Sequence, residues 1–156
     1  MKWIAGLMLA VLAGAAYADG GRLNIPANAT WQEECGSCHI PYPPQLLSRQ
    51  DWQQLMGGLD KHFAANAALG LQERREISAF LQRYGASSER YVTNTMRISD
   101  TPWFKREHRE VSRATWADPA VKSRSNCTAC HVNAERGDWS ERGIRVPGGR
   151  FEDDDD

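Results

Sequence analysis

The chain has 156 residues and carries 19 Lys and Arg against 20 Asp and Glu, so its formal net charge is −1. This length allows one domain of average size or two small ones, and it excludes the large multidomain enzymes. The near-neutral charge gives no support to a nucleic-acid-binding protein. Four cysteines are too few for a disulfide scaffold in a chain of this length, and they are matched by four histidines.

Residues 1–18 have the organisation of a secretory signal peptide. Lys2 supplies a positive charge, an apolar stretch follows over 4–13, and Ala16-Tyr17-Ala18 has the small-x-small form that signal peptidase reads. The apolar stretch is shorter than the roughly 18 to 20 residues that span a bilayer, which argues against an uncleaved membrane anchor. We therefore expect cleavage after Ala18 and a soluble, exported mature protein.

The mature chain has a low proportion of apolar residues. Without the signal about 49 of 138 residues are apolar, roughly 36%. If these residues form two halves of about 70, each half has the size at which small domains need a metal, a disulfide or a cofactor to fold. The composition therefore predicts a bound apolar group.

The first half of the mature chain is predicted to form three helices. Thr30 and Glu33 form a capping-box pattern, which predicts a helix over 31–39. A second helix is expected over 49–57 and a third over 71–84, where apolar residues recur at helical spacing. Residues that break, cap or end helices separate them. These are a rigid proline loop at Pro41-Tyr42-Pro43-Pro44, a serine cap at Ser48, and glycines that end helices at Gly57-Gly58 and Gly85.

The second half has less regular patterning. Thr101-Pro102 predicts the start of a short helix that carries His108, and Asp118-Pro119 predicts the start of another. From Gly137 onward the chain is rich in glycine and arginine, and we expect irregular structure. The predicted organisation is a signal peptide, an N-terminal domain, a C-terminal domain and an acidic tail, over 1–18, 19–90, 91–150 and 151–156.

All four cysteines fall in two copies of one pattern. Cys35-Gly36-Ser37-Cys38-His39 and Cys127-Thr128-Ala129-Cys130-His131 both have the Cys-x-x-Cys-His form of covalent c-type haem attachment. Two thiols three residues apart on a helical turn point the same way and can reach the two vinyl groups of one porphyrin. The adjacent histidine then meets the iron. Two copies behind an export signal predict two covalently bound haem c groups.

Two other cofactor or redox sites could use a Cys-x-x-Cys pair. A zinc site does not require histidine directly after the second cysteine in both copies. A thioredoxin-like redox site would need a βαβ pattern nearby, and none is visible. Both alternatives are weaker than haem.

The remaining histidines match the number of free axial positions. Beyond His39 and His131 the chain has only His62 and His108. His62 follows His39 by 23 residues and His108 precedes His131 by 23 residues, so each motif has a free histidine on its own side of the chain. We predict that these four histidines ligate two irons in bis-histidine fashion.

Methionine is the other common distal ligand of haem, and outside the signal only Met56 and Met96 could serve. Met56 lies at helical spacing from Trp52, Leu55 and Leu59, which predicts core packing for it. Since histidine in place of methionine lowers the reduction potential, we expect two low-potential haems.

Charge differs along the chain. Residues 19–96 carry 7 − 8 = −1, residues 97–150 carry 11 − 7 = +4, and residues 152–156 carry −5. The basic segment is either a solvated face or a docking face for an acidic redox partner. In the first case Arg142, Arg145 or Arg150 could pair the haem propionates. The acidic run predicts a solubilising tail, and metal binding by it is a weak alternative.

Three sequence blocks resemble the periplasmic dihaem cytochromes c of Gram-negative bacteria, called DHC. They are GLDKHF at 58–63, RISDTPWFKREH at 97–108 and VKSRSNCTACH at 121–131. The resemblance implies a mainly α protein, with a class I cytochrome c fold in the first domain and a mostly irregular second domain with short helices. It also implies ligation of one haem by His39 and His62, and of the other by His131 and His108.

The resemblance further implies electron transfer between a membrane b-type cytochrome and a small high-spin haem protein that binds oxygen. We therefore expect an electron carrier rather than an enzyme, with redox proteins as partners and no nucleic acid or small-molecule substrate. The alternative is a small dihaem redox enzyme, such as a peroxidase or nitrogen-oxide reductase, with one displaceable axial ligand. A gas or redox sensor is disfavoured because no output domain follows.

Overall fold

The computed structural model describes residues 23–148, and within that range it is helical with no β-strand. The signal peptide, the acidic tail and Arg150 lie outside the described residues. In this described range seven short 3-10 helices lie between the α-helices or follow the last of them, in agreement with a mainly α, partly irregular fold. The α-helices are α1 (Ala29–Gly36), α2 (Arg49–Gly57), α3 (Leu71–Tyr84), α4 (Pro102–Glu107) and α5 (Arg113–Trp116).

Helix α1 differs from its prediction at both ends. Asn28, not Thr30, is the cap, because Asn28 is extended and its side chain accepts a hydrogen bond from the Trp31 amide at 2.7 Å. The helix also ends at Gly36, so the predicted extension to His39 was wrong. Cys35 therefore lies in the last helical turn, and the rest of the motif follows in a turn outside the helix.

Helices α2 and α3 match their predicted bounds. The Ser48 side chain accepts a hydrogen bond from the Asp51 amide at 3.0 Å and caps α2, which ends at Gly57. Gly85 follows α3 at a crowded position, since a Cβ there would lie 2.7 Å from the Leu81 carbonyl oxygen. That close approach favours glycine, which has no Cβ, at the residue after the helix.

The core of the protein lies in its first half, where α2 packs on α3 and α1 packs on the same helix. Met56 is 5% exposed inside this cluster, which confirms its predicted packing role. Ile77 and Leu81 on α3 are almost fully buried. The buried cluster consists of Trp31, Leu47, Trp52, Met56, Leu59, Ile77, Phe80 and Leu81.

The second half is built from short pieces. Thr101 caps α4 through a hydrogen bond from the Phe104 amide at 3.1 Å, as the Thr101-Pro102 pattern predicted, and His108 follows just beyond the last helical residue. The helix predicted at Asp118-Pro119 was wrong. Asp118 instead accepts a hydrogen bond from the Ala120 amide at 2.7 Å, which favours a turn over a helix. The nearby helix is α5, capped by Ser112.

Backbone hydrogen bonds join the two halves near residue 90. The Ser48 amide donates to the Tyr91 carbonyl at 3.0 Å, and the Thr93 amide donates to the buried Asp51 carboxylate at 3.1 Å. The Tyr91 ring packs on Trp103 at 5.4 Å between centroids. The domain boundary at residue 90 stays a prediction. Among residues 23–148 no helix has the length and apolar character needed to cross a membrane.

Candidate haem-binding sites

The first candidate site brings the histidine of the first motif to the free histidine of the same half. The His39 and His62 rings have centroids 6.2 Å apart and an interplanar angle of 30°. An imidazole nitrogen binds a first-row metal ion at about 2.0 Å, so two rings on opposite sides of one ion have centroids roughly 6 Å apart. The observed spacing is therefore wide enough for one iron.

A backbone turn after His62 holds its ring in place. The Ala65 amide donates to the His62 carbonyl at 2.9 Å, and both intervening residues are left-handed, with φ of 47° at Phe63 and 77° at Ala64. Positive φ is costly for residues with a Cβ and marks turns of functional sites. The Phe63 ring packs against His62 at 4.9 Å. Sequence reasoning missed this turn because it has no glycine or asparagine.

The second candidate site has the same pairing with a different ring arrangement. The His108 and His131 rings have centroids 6.1 Å apart and an interplanar angle of 68°. The first three residues of the second motif form a 3-10 helix, Cys127–Ala129, and the His131 amide donates to the Cys127 carbonyl at 2.8 Å. The structure therefore brings each free histidine to the motif histidine of its own half.

His108 is oriented by the end of α4. Its Nδ1 lies 2.9 Å from the Phe104 carbonyl oxygen, and its ring stacks on Phe104 at 3.9 Å with an interplanar angle of 16°. With a proton on Nδ1 donated to that carbonyl, Nε2 is left with a free lone pair. A hydrogen bond at the second nitrogen is the usual way in which proteins orient a ligating histidine.

Aromatic and apolar side chains surround the second site. Trp116 lies 6.0 Å from His108, and Trp139 lies 5.4 Å from His131 between ring centroids. Arg124 stands over Trp116 at 5.1 Å and lines the same cavity with both cysteines of the motif. Sequence reasoning assigned none of these three residues to the site, because no local motif joins them to the histidines.

The four cysteines are not paired as disulfides, so both sulfur atoms of each motif are available for thioether bonds to a haem. Burial raises the pKa of Cys35 to about 11, with the nearby Glu34 carboxylate as a smaller cause. Burial likewise raises the pKa of Cys127 to about 11 and that of Cys130 above its usual value. Before haem attachment, the thiols of Cys35, Cys127 and Cys130 are therefore protonated near pH 7.

Three of the four histidines are kept neutral by their surroundings. Burial lowers the pKa of His62, His108 and His131, and the neighbouring histidine adds to this effect at His62 and His131. At His108 the hydrogen bond to the Phe104 carbonyl and the Glu107 carboxylate act in the opposite direction. Neutral imidazole is the form that ligates metal ions.

An unpaired buried polar atom tests whether haem fits the second site. The Trp139 indole N–H is buried without a hydrogen-bond partner among the described residues. Buried donors rarely go unsatisfied, and a haem carries two propionate carboxylates that can accept hydrogen bonds. Together with the apolar walls and the histidine spacing, this unpaired donor fits haem.

Of the arginines proposed as partners of the propionates, Arg145 makes hydrogen bonds within its own segment. Arg145 donates to the backbone carbonyls of Arg142 at 3.2 Å and of Ile144 at 2.7 Å. Propionate pairing by Arg142, Arg145 or Arg150 stays a prediction. Arg124 lines the cavity of the second site and is a further candidate for this role.

Comparison with known proteins gives a consistent result. The family model for dihaem cytochrome c, DHC, matches residues 31–139. A diheme cytochrome c of Rhodobacter sphaeroides is 37% identical, with a TM-score of 0.64 over 72% of this chain and 97% of that chain. The diheme cytochrome sb-DHC of Shewanella baltica OS155 is 35% identical, with a TM-score of 0.69 over 82% of this chain and 100% of that chain. No curated protein sequence matches the chain.

A duplicated Cys-x-x-Cys-His motif beside two facing pairs of histidines defines a c-type cytochrome with two haems. Because the family model covers more than half of the chain and the solved structures exceed 30% identity, the chain belongs to the dihaem cytochrome c family, DHC. It is an electron-transfer cytochrome with two covalently attached haem c groups. This confirms the predicted cofactor and the family resemblance.

Proposed function

We propose that the protein is a periplasmic one-electron carrier in which each haem iron has two histidine ligands. His39 and His62 serve the first haem, and His131 and His108 serve the second. The observation that carries this proposal is the matched spacing of the two pairs, 6.2 Å and 6.1 Å between ring centroids. The cysteine pairs Cys35 with Cys38 and Cys127 with Cys130 hold the porphyrins as thioethers.

Two histidine ligands at each iron favour a carrier over an enzyme. A c-type haem changes its iron between the ferric and ferrous states when it gains or loses one electron. A closed coordination shell leaves no position for oxygen, peroxide or a nitrogen oxide. The stacked Phe104 and the hydrogen bond to its carbonyl hold His108, and the turn after His62 holds that ring, so neither ligand is loosely tethered.

The same ligands favour low reduction potentials. Histidine donates more electron density to iron than methionine does, and it stabilises the ferric form. Met56 lies in the protein core, which supports histidine rather than this methionine as the distal ligand of the first haem.

Carbon monoxide separates the carrier from the enzyme alternative. The dithionite-reduced full-length holoprotein is expected to keep its visible spectrum when carbon monoxide is added, because no axial position is open. A stoichiometric spectral change at either haem would refute the carrier proposal and favour an enzyme with a displaceable ligand.

Export and partners form the last part of the proposal. The signal sequence over 1–18 supports a periplasmic protein, and a mature N-terminus at Asp19 in a periplasmic extract is the expected result of N-terminal sequencing. We propose a membrane b-type cytochrome as electron donor and a small high-spin haem protein as acceptor. Co-purification from the native periplasm and membrane tests both, and recovery of other redox proteins in their place would contradict this assignment.

A further inference from the structure

The two haem-attachment segments face each other across one cavity. Residues 36–42, which include the end of the first motif, form one side, and residues 122–123 and 125–128, which lead into the second motif, form the other. The two candidate sites are therefore neighbours in space although their motifs are far apart in sequence.

Tyr42 touches both segments. Its ring stacks on His39 with centroids 4.6 Å apart and an interplanar angle of 23°. Its hydroxyl group donates a hydrogen bond to the Ser125 carbonyl oxygen at 2.6 Å. Ser125 is two residues before Cys127, the first thioether cysteine of the second haem.

The position of Tyr42 is rigidly defined. Pro43 and Pro44 follow it, and Pro44 is the first residue of the 3-10 helix Pro44–Leu46, so the backbone has little freedom there. The side chain also packs against the hydrophobic cluster of the first half. Ordering the tyrosine for its two contacts therefore costs little conformational entropy.

We propose that Tyr42 is a positioning residue that couples the two haem sites electronically. The contact runs from the His39 ring through the stacked phenol and one short hydrogen bond to the Ser125 carbonyl, and then along two residues of backbone to Cys127. Electron tunnelling weakens less steeply through stacked rings, hydrogen bonds and covalent bonds than across open space. This inference rests on the proposed carrier function.

The coupling moves one electron and nothing else. One site loses an electron and the other gains it, so the total charge is unchanged and no co-reactant is needed. Tyr42 keeps its hydroxyl proton, which it donates to the Ser125 carbonyl oxygen, and it is not itself oxidised in the proposed transfer.

Two other contacts between the halves, among residues 23–148, do not link the two haem sites in this way. Tyr91 packs on Trp103 in the segment that joins the halves. Arg97 stands over the Phe63 ring at 4.0 Å, next to His62. Tyr42, in contrast, stacks on the motif histidine His39 and donates a hydrogen bond close to the thioether cysteine Cys127.

Three variants of the full-length holoprotein test the proposal. Tyr42→Phe keeps the stacked ring and removes the hydrogen bond, and Tyr42→Leu removes both. Tyr91→Phe is the matched control, since it removes a phenol hydroxyl at another contact between the halves. Proton NMR of the half-reduced protein measures the rate of electron exchange between the haems from their methyl resonances, and a redox titration measures the two potentials.

We expect Tyr42→Phe to slow the exchange several-fold, with both haems attached and both potentials near their wild-type values. Tyr42→Leu should slow it further, and Tyr91→Phe should match wild type. Exchange in Tyr42→Phe as fast as in Tyr91→Phe would overturn the proposal, as would a slowing explained wholly by shifted potentials. Carbon monoxide binding by wild type would instead refute the carrier function. Failure of the carrier proposal can therefore be distinguished from failure of the Tyr42 proposal.

Discussion

The two halves of the protein enclose their haem sites by different means. The first half has eight buried side chains that form a continuous cluster among three helices, all of them between residues 31 and 81. In the described part of the second half the buried apolar side chains are only Phe104, Val121 and Ala134. The comparison teaches that the first haem adjoins a protein core, whereas the second haem has to serve as the core.

Removal of each haem attachment should give the largest difference between the halves. In Cys127→Ser/Cys130→Ser, hydrogen-exchange mass spectrometry is expected to show loss of protection across most of 97–148, because few buried side chains remain there. The first half should keep its protection. In the matched variant Cys35→Ser/Cys38→Ser, the α2–α3 pair should keep partial protection. Equal loss of structure in the two haem-free halves would contradict the comparison.

Truncation of a core side chain tests whether the first half has a packed protein core. Leu81→Ala removes a side chain that is 1% exposed, and we expect a loss of about 2–5 kcal/mol in the free energy of unfolding of that half. Leu71→Ala on the same helix is the control, since Leu71 is 66% exposed and should change stability by less than about 0.5 kcal/mol. Guanidinium unfolding followed by helical circular dichroism measures both. Equal effects at the two leucines would show that α3 does not supply a packed core.

Exchange of one distal ligand tests whether the two sites are independent. His62→Met should raise the potential of the first haem by on the order of 0.1 V, within the roughly 0.8 V range that axial ligands span. His108→Met should do the same for the second haem. Each variant is expected to leave the other haem nearly unchanged in a spectroscopic redox titration. A shift at the opposite haem would mean that the distal histidines are exchanged between the halves.

Helix caps should give the smallest effect, and a different one in each half. Ser48→Ala and Thr101→Ala each remove a side chain that caps a helix, at a cost of about 0.5–2 kcal/mol. In the first half the loss is expected in global stability alone. In the second half α4 has only six residues and positions His108, so Thr101→Ala should also increase carbon monoxide binding to the second reduced haem. If the two variants bind carbon monoxide equally, the α4 cap does not help to keep His108 on the iron.

The predictability of the fold followed the strength of the local signals. The bounds of α2 and α3 were predicted correctly because their local signals agreed. Both helices have apolar residues at helical spacing and a glycine at the C-terminal end, and α2 also has a serine cap. The prediction for α1 failed because Asn28 competed as a cap with Thr30, and the helix at Asp118 failed because the Asp118 side chain stabilised a turn. Short helices depend on such single hydrogen bonds, and two good caps close together cannot be ranked from sequence alone.

The sequence by itself determined the chemistry of this protein. Two copies of one covalent attachment motif, with one spare histidine for each, identify the cofactor and the candidate ligands, because thioether formation depends on residues that are adjacent in the chain. Only the tertiary structure decided which rings face each other, the left-handed turn at Phe63, the aromatic walls of the second site, and the contact of Tyr42 with Ser125. These features join residues that are distant in sequence or lack a local signature, so packing alone brings them together.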